Sequence, residues 1–133
     1  MPIDLAHTLE FFENAPVSPI ETLGEWSGTS VLVKRDDLLA PRSASAFCGN
    51  KWRKLKYNLV KAVKEGHHQI LTFGGAFSNH IAAVAEAGAL LGIKTIGVIR
   101  GGPFKTLNST LTLAKEQGMV LHYLDRSADR FSR

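Results

Sequence analysis

Ile70-Leu71-Thr72-Phe73-Gly74-Gly75-Ala76-Phe77-Ser78-Asn79-His80 reads as a strand, a glycine-rich turn and the opening of a helix. Apolar and β-branched residues make the strand, Gly74-Gly75 breaks it, and Ser78 stands where a helix cap belongs. The helix is expected over 79–91, with Gly92 as its stop. Its small residues, among them Ala82, Ala83, Ala85 and Gly88, let it lie close to a sheet. The unit repeats downstream. Thr95–Ile99 reads as a strand, Gly101-Gly102-Pro103 as a turn, 108–117 as a helix stopped by Gly118, and Val120–Leu124 as a strand. Strands therefore begin near Ile70, Thr95 and Val120, twenty-five residues apart each time. That rhythm of β-α units predicts an α/β fold with an open parallel sheet.

Upstream the pattern is weaker. A helix is expected from about Asn50 to Glu65, with Trp52, Leu55, Leu59, Ala62 and Val63 on one side and Gly66 as its stop. Residues 40–48 read as loop, and Val31–Arg35 as a short strand ended by Asp36-Asp37. Residues 1–30, punctuated by Pro16, Pro19, Gly24 and Gly28, read as irregular. After Leu124 the sequence turns polar, with no helix expected to follow the last strand. This reads as an incomplete α/β assembly. The alternative is a small domain whose sheet is covered by its own N-terminal segment or by another subunit.

The 133 residues suffice for one ordinary domain. No apolar run approaches the roughly 20 residues of a membrane helix, and Met1-Pro2-Ile3-Asp4 does not open a signal peptide. The lone Cys48 cannot form an internal disulfide, so a reducing, cytoplasmic setting is expected. Residues 1–30 hold five acids and no lysine or arginine, and all sixteen basic residues lie beyond them. Such asymmetry can mark nucleic-acid binding. Here the positives are mostly scattered, and the one cluster, Lys51, Arg53, Lys54 and Lys56, is interleaved with Trp52, Leu55 and Tyr57. A solvated helix face or an anionic small molecule explains it as well.

In open α/β sheets, ligands bind beyond the carboxyl ends of the strands, where Gly74–Phe77 falls. The free N–H groups of the next helix would favour an anion there. On the residues alone, Ser78 as a plain N-cap is the favoured reading. Lys51 stands at a helix start beside Arg53 and Lys54, with Trp52 as a candidate shield. Neighbouring cations and partial burial are what keep a reactive lysine neutral. His80 reads as a general base, a substrate contact or a satisfied helix histidine. No zinc pattern is present. Adjacent Asp36 and Asp37 point opposite ways if extended, and read as a strand-ending turn.

Three motifs occur in order at close spacing: Lys-Arg-Asp-Asp-Leu at 34–38, Gly-Asn-Lys-Trp-Arg-Lys-Leu at 49–55 and Gly-Gly-Ala-Phe-Ser-Asn-His at 74–80. Together they resemble the 1-aminocyclopropane-1-carboxylate deaminase and D-cysteine desulfhydrase family, pyridoxal-phosphate enzymes of the tryptophan-synthase-β-like fold. The resemblance implies a three-layer α/β cofactor domain over 49–133 and a segment of the large domain over 1–48, with the C-terminal remainder of that domain absent. It makes Lys51 similar to the lysine that carries pyridoxal 5'-phosphate, and Lys54 to a basic residue near the cofactor phosphate. Asn79 resembles the asparagine that contacts the ring hydroxyl. Ser78 and His80 match positions near the substrate carboxylate, making Lys51, Ser78 and His80 the candidate catalytic set. Phe77 replaces a glutamine of many members, and Ile81-Ala82 replaces polar residues, which leaves the substrate open.

The implied function is that of the N-terminal part of a deaminase or desulfhydrase acting on a small amino acid. Its expected partners are that substrate and either a second copy or a complementing C-terminal chain, without nucleic acid, membrane or metal. A non-catalytic anion- or nucleotide-binding module is the alternative.

Overall fold

The structure, a computed structural model, describes residues 4–124. The polar stretch expected after the last strand lies outside them. The elements are α1 (Leu5–Glu13), β1 (Ile20–Trp26), β2 (Thr29–Lys34), a 3-10 turn (Asp36–Leu38), α2 (Gly49–Lys64), β3 (Gln69–Gly75), α3 (Asn79–Leu91), β4 (Lys94–Arg100), α4 (Ser109–Glu116) and β5 (Val120–Leu124). From α2 onward every expected element is present, within a residue or two of its expected ends.

Strands β3, β4 and β5 form a parallel sheet in sequence order. The connecting helices α3 and α4 pack on each other, and α3 lies against β3 and β4. The register puts Ile70, Thr72 and Gly74 beside Thr95, Gly97 and Ile99 on that face. Thr72, Thr95 and Ile99 are buried there. The opposite face carries Leu71, Phe73, Val120 and Leu124, all exposed. Among the described residues the sheet thus has helices on one side only. Helix α3 is apolar almost all round, with Ile81, Ala83, Ala85 and Ala87 fully buried between the sheet and its neighbouring helices.

Residues 4–30 correct the sequence reading, because they hold a helix, a full strand and the start of a second. Asp4 caps α1, accepting from the Ala6 N–H at 3.0 Å. β1 pairs antiparallel with β2 through an irregularity at Thr22–Gly24. Helix α1 is held by contacts distant in sequence: Phe12 packs edge-on to Trp52 (5.0 Å between centroids) and Phe47 (6.2 Å), and Phe11 lies 5.3 Å from Trp52. Trp52 therefore spends its ring in this cluster, 4.8 Å from Phe47, rather than over Lys51. The cluster ties residues 1–48 to α2, and α1 lies against α2 rather than over the sheet.

Asp36 and Asp37 do diverge. Asp36 accepts from Arg53 at 2.7 and 2.8 Å and from the Ser18 hydroxyl at 2.7 Å. Asp37 pairs with Arg35, which also bridges to Glu21 at 2.9 Å. The Arg53 guanidinium, aided by Ser18, holds the Asp36 carboxyl well below the usual carboxylate range.

Candidate functional site

Two helix starts define the candidate site. The first is α2. Gly49 adopts φ +52, and a Cβ there would meet the Asp36 carbonyl oxygen at 3.0 Å, so glycine is required both by conformation and by space. Its N–H donates to the Leu39 carbonyl at 2.8 Å. The Cys48 carbonyl then accepts from the Lys51 N–H at 3.0 Å and starts the helix. Lys51 is half-buried, and Lys54, one turn on, is exposed.

The second start is α3, directly after the carboxyl end of β3. Gly74 lies so close to the helix that a Cβ would sit 2.6 Å from Ile81 Cγ1. The Ser78 N–H donates to the Gly75 carbonyl at 3.1 Å, and Ser78 Oγ accepts from the Ile81 N–H at 3.4 Å. Ser78 is thus the expected cap. The N–H groups of Asn79 and His80 have no acceptor among the described residues, and the helix dipole adds to their pull on an anion. The Asn79 side chain is exposed, and Ser78 and His80 are half-buried.

Electrostatics link the two starts. Burial, then the positive charges of Lys51 and Lys54, lowers the His80 pKa below its ordinary 6.5. At neutral pH the imidazole is therefore neutral and can accept a proton or a hydrogen bond. Lys51, Lys54 and His80 are brought together in this electrostatic sense. A cleft of about 300 Å³ at the carboxyl edge of the sheet is lined by Phe73, Gly74, Gly75, Val98, Arg100 and Leu124, and by none of the candidate residues.

Sequence reasoning missed two residues that build this region. Asn108 caps α4, accepting from the Leu111 N–H at 2.9 Å, while its amide donates to the Ala76 carbonyl at 2.8 Å and so fastens the glycine-rich turn. An asparagine ahead of Ser-Thr-Leu was a visible cap signal; its second bond was not. Glu86, 2% exposed within the apolar helix, was the other. His67 and His68 are exposed. Among the described residues no cluster of three or more His, Cys, Asp or Glu is placed to hold a metal. No helix among them is long and apolar enough to cross a membrane.

Fold and site define an α/β protein with a parallel sheet and an anion-attracting edge built from two helix starts. The comparisons with known proteins narrow this class. No protein-family model matches the chain. It is 40% identical over 98 residues to a provisionally named 1-aminocyclopropane-1-carboxylate deaminase of Thermotoga maritima, covering 74% of this chain and 30% of that protein. Over 97 residues it is 30% identical to a D-cysteine desulfhydrase of Salmonella paratyphi A, covering 73% of this chain and 28% of the relative. A 1-aminocyclopropane-1-carboxylate deaminase of Pseudomonas syringae pv. tomato is 37% identical over 87 residues, 64% of this chain and 25% of that enzyme. The crystal structure of an ACC deaminase homologue superposes on 88% of the chain with TM-score 0.63 and 28% identity, the chain covering 37% of that structure. A hydrogen sulfide-producing enzyme of Fusobacterium nucleatum, 16% identical, shares the fold with TM-score 0.59, over 90% of this chain and 38% of its own. The chain is thus similar, over 64–74% of its length, to 1-aminocyclopropane-1-carboxylate deaminases and a D-cysteine desulfhydrase, and spans 25–30% of the length of these curated relatives.

Proposed function

We propose that the chain supplies the lysine-bearing portion of a pyridoxal-phosphate-dependent deaminase or desulfhydrase acting on a small amino acid. What supports this reading is that α2 and α3 touch, one starting with Lys51 and Lys54 and the other with Ser78, Asn79 and His80, and that the lysine charges add to burial in lowering the His80 pKa. The donors fit an anionic aldehyde and an amino-acid substrate: an amine for the carbonyl, a second cation for the phosphate, and, for the substrate carboxylate, two N–H groups without acceptors among the described residues. When bound, the cofactor supplies an electron sink for carbanion character at the substrate α-carbon.

The chain's own residues do the rest. The Lys51 amine holds the aldehyde and, once freed, moves a proton at the α-carbon. Lys54 binds the phosphate charge, and Asn79 hydrogen-bonds the ring hydroxyl. The Ser78 hydroxyl and the Asn79 and His80 N–H groups orient the substrate carboxylate. Neutral His80 accepts a hydrogen bond beside it. The candidate substrates are those in the relatives' names: 1-aminocyclopropane-1-carboxylate, which with water gives 2-oxobutanoate and ammonia, and D-cysteine, which with water gives pyruvate, sulfide and ammonia. In this reading residues 1–48 belong to the large domain, residues 49–133 to the small cofactor domain, and a second copy or a complementing chain completes the site.

The test is to incubate the 133-residue chain with pyridoxal phosphate, reduce with borohydride and map the adduct by mass spectrometry. Label concentrated on Lys51, and lost in Lys51→Ala without spreading to other lysines, is the expected result. Label spread evenly over surface lysines overturns the proposal in favour of a non-catalytic anion- or nucleotide-binding module.

A further inference from the structure

Glu86 is the one charged residue among the buried positions of α3. A carboxylate in such surroundings is costly unless its oxygens are fully used. They are. Oε1 accepts from Arg42 Nε at 2.7 Å. Oε2 accepts from the Ala46 N–H at 2.7 Å and the Phe47 N–H at 3.1 Å. All three donors lie in the 42–47 segment, which has no regular secondary structure and no other tie of this kind to α3.

The residues just beyond that segment give the bonds their meaning. Phe47 is fully buried against Trp52, and the next carbonyl, that of Cys48, accepts the Lys51 N–H. Glu86 itself lies seven residues after Asn79 on the same helix, about two turns away. One side chain therefore joins the helix that presents Ser78, Asn79 and His80 to the loop that launches the helix presenting Lys51. Arg42, half-exposed, neutralises the carboxylate from the solvent side, while the two backbone N–H groups fix the loop's path.

We propose that Glu86 is a positioning residue that sets the Lys51 helix start against the Ser78–His80 helix start. It touches neither substrate nor cofactor, and the inference rests on the functional reading above. Methionine in its place keeps the length of the buried side chain but offers neither loop N–H an acceptor oxygen. The Arg42→Ala change removes only the half-exposed partner and leaves both loop bonds.

The experiment measures pyridoxal-phosphate label at Lys51 relative to Lys64, an exposed lysine at the far end of the same helix, in wild type, Glu86→Met and Arg42→Ala. Folded fraction is matched by circular dichroism, and amide hydrogen exchange is followed at 46, 47, 51 and 52. In Glu86→Met the Lys51:Lys64 ratio falls about tenfold, the scale of one lost buried hydrogen bond to a charged group, with exchange at all four amides accelerated. In Arg42→Ala the ratio stays within about twofold of wild type, the scale of a half-exposed ion pair. An unchanged ratio in folded Glu86→Met overturns the proposal while leaving the functional reading intact. A wild type without Lys51 preference ends the functional reading. The positioning claim then stands or falls on whether Glu86→Met loosens amides 51 and 52 together with 46 and 47. If Glu86→Met does not fold, exchange in the wild type decides: four amides opening as one unit support the inference, and unprotected 46 and 47 refute it.

Discussion

Adjacent glycines in the turn after β3 respond to the same mutation with opposite sign. A Cβ on Gly74 would lie 2.6 Å from Ile81 Cγ1, 3.0 Å from Ile81 Cδ1 and 3.0 Å from Ser78 Cβ. Ile81 is fully buried under the sheet and cannot swing into solvent. Gly74→Ala must therefore push α3 from β3, and overpacking of this kind costs about 1–3 kcal/mol. A Cβ on Gly75 meets nothing within 4 Å, and that residue does not need a positive φ. Gly75→Ala is thus neutral or stabilises by about 0.4–1 kcal/mol through the unfolded chain. For a chain of this length roughly 3–5 °C in Tm corresponds to each kcal/mol, so the two variants separate clearly in thermal melts. The clash also has a named partner. Ile81→Ala alone leaves a cavity and costs about 2–5 kcal/mol. With Gly74→Ala the new methyl occupies part of that space, and the double variant falls short of the summed penalties by about 1–2 kcal/mol. Urea titration of the four species measures this. Additivity within about 0.5 kcal/mol, or equal effects at 74 and 75, would refute the claim that the turn's shape is set by contact with Ile81.

Other expectations concern the aromatic cluster and the acid range. Phe47→Ala removes a fully buried ring that joins α1 to α2 and lowers stability by about 3–5 kcal/mol in urea unfolding. His80 has a folded pKa below 6.5, so the unfolded chain binds its proton first. Stability accordingly declines as pH falls from 6.5 toward the folded value, and His80→Gln flattens that part of a urea-midpoint profile. Asp36, depressed in the fold, contributes stability that is present above 3.8 and lost as pH falls below it. Asp36→Asn removes that acid-range slope, whereas Asp4→Asn, which touches only the cap of α1, retains it.

The elements readable in the sequence are those set by local physics. Helix α3 was legible to the residue because Ser78 caps it, Gly92 closes it and its small residues need no distant partner to be recognised. Strands β3, β4 and β5 declared themselves by their spacing. Helix α1 did not. Only Thr8 and Phe12 are buried on it, and what stabilises it is Trp52, forty residues away from Phe12. β1 was hidden by Gly24, which sits at its irregularity, and by the exposure of most of its residues. The candidate site divides the same way. Ser78 as a cap and Lys51 at a helix start follow from neighbours in sequence. The bonds of Glu86 to residue 46 and of Asn108 to residue 76 span 40 and 32 positions, and no periodicity announces them.

The four-residue basic cluster on α2 shows why a charge count in one dimension misleads. At about 100° per residue, the buried stripe of Trp52, Leu55, Leu59 and Val63 spans only about 80° of the helix circumference. Lys51 and Lys54 fall on one flank of that stripe, and Arg53 and Lys56 on the other. The second pair is already engaged: Arg53 with Asp36 at 2.7 Å, and Lys56 with the Tyr57 ring at 5.9 Å. The charges of the first pair add to burial in lowering the His80 pKa. A nucleic-acid backbone is held by a continuous positive surface, and two pairs separated by a hydrophobic core do not make one. A small doubly charged anion needs only two cations and a few N–H donors, which is what the Lys51–Lys54 flank and the start of α3 offer. The four-residue cluster is thus divided by the helix into a pair engaged with Asp36 and Tyr57 and a lysine pair that, in the proposed function, holds the anion.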